Sequence, residues 1–315
     1  MYFPSVRSIY RSLHCLFAVA WVASASFGAT FGPGVEVSRF PAELNEISGM
    51  VESRHHQNVF WVHNDSGDAP QVYAVNTKGQ LLGTYQLAGA EARDWEEMAI
   101  GPGPGGKSYL YLADIGDNSA KHESIAVYRV LEPEVSETQA AVNTEITGVT
   151  KFEFVYEDGP RDAESFFVDP LTDAFYVITK RDADRNRVYR VVAPKPDSRN
   201  TLELVATIPV TWSTAADISP DGLQILVRRY SGAEGSRFPA SVAGYYWSRA
   251  DASTSIVDML RQEPEVVPLA VERQGEAICF DAEGAGFYTT SERGPGDNPP
   301  PAPLTFYSRI KNPVE

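Results

Sequence analysis

Sulfur and nitrogen ligands are scarce in this chain, which has two cysteines and five histidines in 315 residues. Cys15 falls inside an N-terminal apolar segment, upstream of any cleavage point. Cys279 is then alone in the mature chain, and an internal disulfide is excluded. It sits in an apolar run, where a lone cysteine packs as a small core residue. A zinc centre is disfavoured, because thiolates are missing and His63 is the one well-placed imidazole. Positive charge is also short: 27 Lys and Arg face 42 Asp and Glu, a net charge of −15. That balance opposes nucleic acid and anionic membrane surfaces as partners and suits a cation or a basic partner. Long apolar runs are missing beyond the first thirty residues, so no membrane span is expected in the mature chain. There is no G-x-S-x-G elbow, no phosphate-binding glycine loop and no H-E-x-x-H. GPGPGGK at residues 101–107 lacks the Ser/Thr-led helix of a phosphate loop and reads as a turn.

What is present begins with an address. Arg7 and Arg11 precede the apolar run 16–23, and Ala23-Ser24-Ala25 fits a small-x-small cleavage pattern. Residues 1–25 are expected to be a signal peptide, residues 26–315 a single domain, and the destination the periplasm or the exterior. Losing the two arginines takes the net charge to −17.

The rest of the chain is organised by a recurring unit: an anchor residue, a short strand, a turn and a second apolar strand. Glu96, Glu164 and Glu276 open three copies, Ser48 and Thr214 two more. Twelve positions separate anchor and mid-second-strand residue in Ser48–Phe60, Glu164–Tyr176, Thr214–Leu226 and Glu276–Tyr288. The Glu96 copy needs fifteen, to Tyr111, because its turn is the longer GPGPGGK. Each copy continues into another aromatic-rich segment: QVYAV, IAVYRV, RVYRV, GYYW and LTFYSR. Repetition at such a period points to a repeat architecture. Each copy reads as a four-stranded antiparallel meander, except the last, which lacks a fourth strand. The alternating segment 34–40 (GVEVSRF) fits that vacancy. The expected fold is all-β: a β-propeller of five four-stranded blades closed by an N-terminal strand, which leaves no exposed sheet edge at the seam. One helix is expected over residues 253–262, and residues 132–147 read as a polar insertion.

Resemblances support this fold. DISPDG at 217–222 resembles the repeat of TolB-type propellers. A glutamate opening the innermost strand, as in GEAICFD and DAESFFVD, resembles the regucalcin/gluconolactonase propellers, whose metal ligands include such a residue. With HNDSGD, DWEEMA, YLADIGDN and EAICFDAEG, most of the mature chain resembles exported bacterial proteins akin to those and to phytase-like propellers. Five copies rather than six departs from the regucalcin pattern, so its ligand positions do not transfer around the whole ring.

In an antiparallel pair the start of one strand and the end of the next share an edge. The expected mouth therefore gathers Ser48 with His63, Asn64, Asp65 and Asp68. It adds Asp94 and Glu96 with Asp114, Asp117 and Asn118; Asp162 and Glu164 with Lys180 and Arg181; Thr214 and Asp217 with Arg228 and Arg229; and Glu276 with Ser291 and Glu292. Glu96, Glu164 and Glu276 cannot crowd one mouth unless they are protonated, share a cation or meet basic neighbours. Calcium, which takes six to eight oxygens, suits the set. The competing reading pairs the acids with Arg93, Arg161, Lys180, Arg181, Arg228 and Arg229 across adjacent blades.

His63 reads first as a partly exposed turn histidine and second as a candidate general base held by Asp65 or Asp94. His55 and His56 fall on the opposite face and read as solvated. The Asn64–Asp68 and Asp114–Asn118 stretches read as Asx-type turns or local calcium loops. Trp61 and Trp95 read as packing between blades. Two functions remain open: a non-catalytic binding module for a small molecule, cation or protein, or a metal-dependent hydrolase of a lactone, ester or phosphoester.

Overall fold

The computed structural model describes residues 30–232, 239–294 and 299–310. The expected signal segment and Cys15 lie outside them.

Strands form where apolar and β-branched residues alternate or run together, and they stop at Gly-, Asn- and Asp-bearing turns. At one such turn Asn76 Oδ1 accepts the N–H groups of Lys78 and Gln80, and Gly79 takes φ +76°. β1 (Val35–Arg39) precedes a first meander of β2 (Ile47–Glu52), β3 (Val59–Asn64), β4 (Gln71–Asn76) and β5 (Leu81–Leu87). A second contains β6 (Trp95–Pro102), β7 (Ser108–Asp114), β8 (Ile125–Leu131) and, after a short β9 (Val142–Ile146), β10 (Thr150–Tyr156). A third is β11 (Ala163–Val168), β12 (Phe175–Thr179), β13 (Asn186–Val191) and β14 (Arg199–Ile208). A fourth is β15 (Ser213–Ile218), β16 (Gln224–Gly232), β17 (Pro239–Ser248) and β18 (Glu265–Val267), with helix α1 (Ile256–Leu260) before its last strand. The chain closes with β19 (Gln274–Phe280), β20 (Gly286–Glu292) and β21 (Pro303–Ser308).

β1 pairs antiparallel with β21, Val35 opposite Phe306 and Arg39 opposite Pro303, so the first strand completes the last sheet. Next to that seam the Thr30 carbonyl accepts the Ile310 N–H at 2.9 Å, and Phe31 bridges Arg309. β2 packs against β6, β6 against β11, β11 against β15, β15 against β19, and β19 against β2. This circle of inner strands makes the molecule an all-β, propeller-like ring. β2, β11 and β15 are buried along their whole length, because a neighbouring sheet covers each face.

Apolar clusters fill the wedges between consecutive meanders. Trp61, Trp95 and Tyr128 lie between the first and second, and Phe152, Phe166 and Phe175 between the second and third. Phe167, Trp247 and Met259 follow, then Leu226, Phe280 and Tyr307, then Phe60, Cys279 and Leu304 beside the seam. Each such side chain contributes ~1.5–3 kcal/mol by leaving water. Trp61 and Trp95 are thus packing residues, as expected, and Cys279 is a buried free thiol.

Three elements depart from expectation. The polar insertion contains β9, which adds to the first meander's edge parallel to β5. β10 pairs parallel with β14, so the second and third meanders join into one eight-stranded sheet. The helix is shorter than the expected 253–262: Ser255 caps it through Asp258 N–H, and Ile256, Met259 and Leu260 are buried. Among the described residues no helix is long and apolar enough to cross a membrane.

Candidate functional site

Every inner strand begins with a register shift against its partner. The shifts fall between Ile47 and Gly49, Trp95 and Glu97, Ala163 and Ser165, Ser213 and Ala215, and Gln274 and Ala277. The residues within them are Ser48, Glu96, Glu164, Thr214, and Gly275 with Glu276. All five anchors therefore sit in β-bulges, which re-aim a side chain out of the ladder.

The hydroxyl anchors stitch neighbouring inner strands. Ser48 Oγ donates to the Glu96 carbonyl at 2.7 Å and Thr214 Oγ1 to the Gly275 carbonyl at 2.9 Å. The carboxylate anchors meet at one mouth of the ring, where Glu96, Glu164 and Glu276 are all buried. Oxygens of Asp65, Glu276 and Glu292 lie within 4.8 Å of one another, as do those of Asp65, Asp94 and Glu96. Asp65 belongs to both sets. Glu164 belongs to neither: it forms an ion pair with buried Lys180, and its Oε2 has no partner.

Burial dominates the electrostatics here, and like charge adds to it. Burial pushes Glu164 up to about 8, against the pull of Lys180. Burial, then Asp65 and its neighbours, lifts Asp94 to about 6, and burial lifts Glu292 to about 7. Glu96 rises well above the carboxylate range through burial and Glu164, and Glu276 through burial and Glu292. Burial acts to lower Lys180, yet Glu164, Glu276 and Glu96 carry it above its ordinary value. A divalent cation bound at ~2.4 Å keeps its ligand oxygens within about 5 Å of one another, so either set has the size of a single metal site.

The other expected residues are placed as follows. His63 is fully buried; its Nδ1 lies 2.8 Å from the Asn64 carbonyl, its Nε2 has no partner, and burial lowers its pKa. It hydrogen-bonds neither Asp65 nor Asp94, and its ring meets Trp95 edge-on at 5.7 Å. Asn64 donates to Asp68, which also accepts from Tyr73. Asp114 accepts the Asp94 N–H, and Asp117 caps a turn by accepting the N–H groups of Lys121 and His122. Asp162 pairs with Arg181, whose guanidinium lies 5.4 Å from the Trp212 ring centre.

Three residues are not brought to the mouth. Arg228 is fully buried against the Ala277 and Thr290 carbonyls and Glu272. Arg229 is held by the Thr211 carbonyl and Ser241 Oγ. Asp217 lies farther along β15, where it accepts the N–H groups of Ile218 and Phe280 and faces Arg54. Sequence reasoning missed Tyr230, half-buried, whose phenol is raised by burial and by Glu276. A signal existed: it continues the second strand of its copy, one residue beyond Arg229.

No protein-family model matches the chain, and no curated protein does. Among solved structures it is similar to Kuenenia stuttgartiensis hydrazine synthase at 16% identity, covering 79% of this chain and 56% of that one, with a TM-score of 0.36. A chain of the mitotic checkpoint complex follows at 9%, covering 84% and 63%, with a TM-score of 0.39. A chain of the nidogen/laminin complex is similar at 10%, covering 79% and 73%, with a TM-score of 0.41. The chain spans little more than half the length of the first and under two thirds of the second. The circle of inner strands, rather than these neighbours, defines the architecture.

Proposed function

We propose that the chain is an exported, five-bladed β-propeller closed by its N-terminal strand. It acts as a binding module whose acidic mouth holds a calcium ion. The closed circle of inner strands and the β1–β21 pairing support the blade count. The basic, apolar and small-residue pattern of residues 1–25 supports export. The glutamate-led inner strands that resemble the regucalcin/gluconolactonase propellers support a metal at this end.

One observation carries the calcium reading: two carboxylate sets of single-ion size share Asp65, and the buried ammonium beside them, Lys180, is already paired with Glu164. Glu276 and Glu292 with Asp65 would supply one side of the shell, and Asp94 and Glu96 the other. A protein or small-molecule partner would then reach the ion from the open side. Binding is favoured over hydrolysis, because the imidazole that a hydrolase would use is fully buried, edge-on to Trp95, and hydrogen-bonded to no carboxylate.

Calcium titration followed by calorimetry and by thermal melting tests this. The unmutated protein should bind calcium and melt higher with it, because a ligand of the folded state alone stabilises by mass action. Asp65→Asn should abolish that gain and Glu164→Gln should keep most of it. A flat response in the unmutated protein, or an equal loss in both variants, would remove the calcium site.

A further inference from the structure

The opposite mouth of the ring holds a second pocket, of about 370 Å³. The turns that follow all the inner strands build it: Arg54 and His55 after β2, Lys107 after β6, Pro170 after β11, Pro220 after β15 and Ala282 after β19. Its walls are apolar, from Ile100, Ile218 and three prolines. Its basic side chains are Arg54, His55 and Lys107, and no carboxylate lines it, although acids outnumber Lys and Arg by 42 to 27 in the chain.

The cations are available. Arg54 Nη1 is buried without a hydrogen-bond partner, and Lys107 is exposed. Glu52, Asp281 and Glu283 line an adjoining cleft that shares Arg54, His55 and Ala282, and the nearest buried acids accept backbone groups. Glu52 accepts Ala282 N–H at 2.7 Å, Asp217 accepts Ile218 and Phe280, and Glu97 accepts Met98 and Ala216, both at 3.0 Å.

We propose that this pocket is a second binding site, for a small organic anion: a carboxylate or sulfonate head held by Arg54 and Lys107, with an aliphatic or aromatic body against Ile100, Ile218 and the prolines. A pocket of this size suits a small ligand, with an apolar lining for binding and a few charges for orientation. The head group supplies, inside the pocket, the negative charge that its own wall does not offer to Arg54 and Lys107. The site is separate from the acidic mouth and does not depend on calcium.

The test titrates anilinonaphthalene sulfonate, an anion that fluoresces in apolar surroundings, into the folded protein and displaces it with octanoate, octanol and inorganic phosphate. One saturable site is expected, with octanoate competing roughly tenfold or more better than octanol or phosphate, a difference of about 1.4 kcal/mol or more. Arg54→Gln and Lys107→Glu should each weaken probe binding by a similar factor, and Glu276→Gln should leave it unchanged. Lys107 lies on an exposed loop, so its variant keeps the test decisive if Arg54→Gln folds poorly. Equal displacement by octanol, equal displacement by phosphate, or unchanged binding in Lys107→Glu would overturn the proposal.

Discussion

Arg228 lies on β16 among buried apolar neighbours. Its guanidinium is wholly buried and donates to two carbonyls and to Glu272, whose other oxygen accepts from Thr289 and Thr305. A buried ion pair is strongly destabilised when one partner goes, because the other is left uncompensated. Arg228→Leu should therefore cost about 3–5 kcal/mol in chemical denaturation, because Glu272 is left charged and buried. Gly275 serves the same pair: a Cβ there would overlap the guanidinium, so Gly275→Ala should also lower the denaturation midpoint. From the sequence, Arg228 reads as a mouth cation because it ends an apolar strand beside Arg229. Its true partner lies in the irregular stretch between β18 and β19, whose path no periodicity reports. The carboxylate anchors were legible for the opposite reason. An acid at the start of an otherwise apolar inner strand stands out, and strand pairing dictates which end it shares.

At the scale of elements, alternation and turn chemistry located most strands, and the first strand's place beside β21 followed from a vacancy in the pattern. What stayed hidden was supported by contacts rather than by composition. β9 is almost wholly exposed, so it carries no apolar signal and depends on its parallel ladder with β5. The β10–β14 junction joins two edges that are distant in sequence, and no local pattern announces it. The bulges were invisible too, although each anchor marked one. Deleting residues 34–40 removes β1 and takes Phe40 out of the core beside the seam. Loss of a buried Phe side chain alone costs about 3–5 kcal/mol. Thermal melting of the shortened chain should show a large fall or no cooperative transition, and a melt matching the full chain would refute closure by β1.

For the whole molecule, the acidic mouth sets a pH dependence. Asp94, Glu292 and Glu164 rise to about 6, 7 and 8 from ordinary values of 3.8 and 4.5. Between those limits the folded chain binds more protons than the unfolded one. The stability tied to these groups is therefore full below their unfolded values and lost as pH climbs through the folded ones. In chelator, the melting temperature should fall from about pH 5 to about pH 8. Calcium prefers the deprotonated carboxylates, so it should flatten that fall and release protons on binding. Melting curves across pH, with chelator and with calcium, check the slope. A melting temperature that rises with pH in chelator would contradict the assignment.

The hydrogen bond between Thr30 and Ile310 brings the two ends of the described ring side by side, between a third strand, β21, and a fourth, β1. The hairpin tip at residues 195–198, between β13 and β14, is exposed and holds the equivalent place in the third meander. A circular permutant with a short Gly-Ser linker from residue 310 to residue 30, reopened at that tip, would keep every sheet. Its order of synthesis would change while its architecture stayed the same.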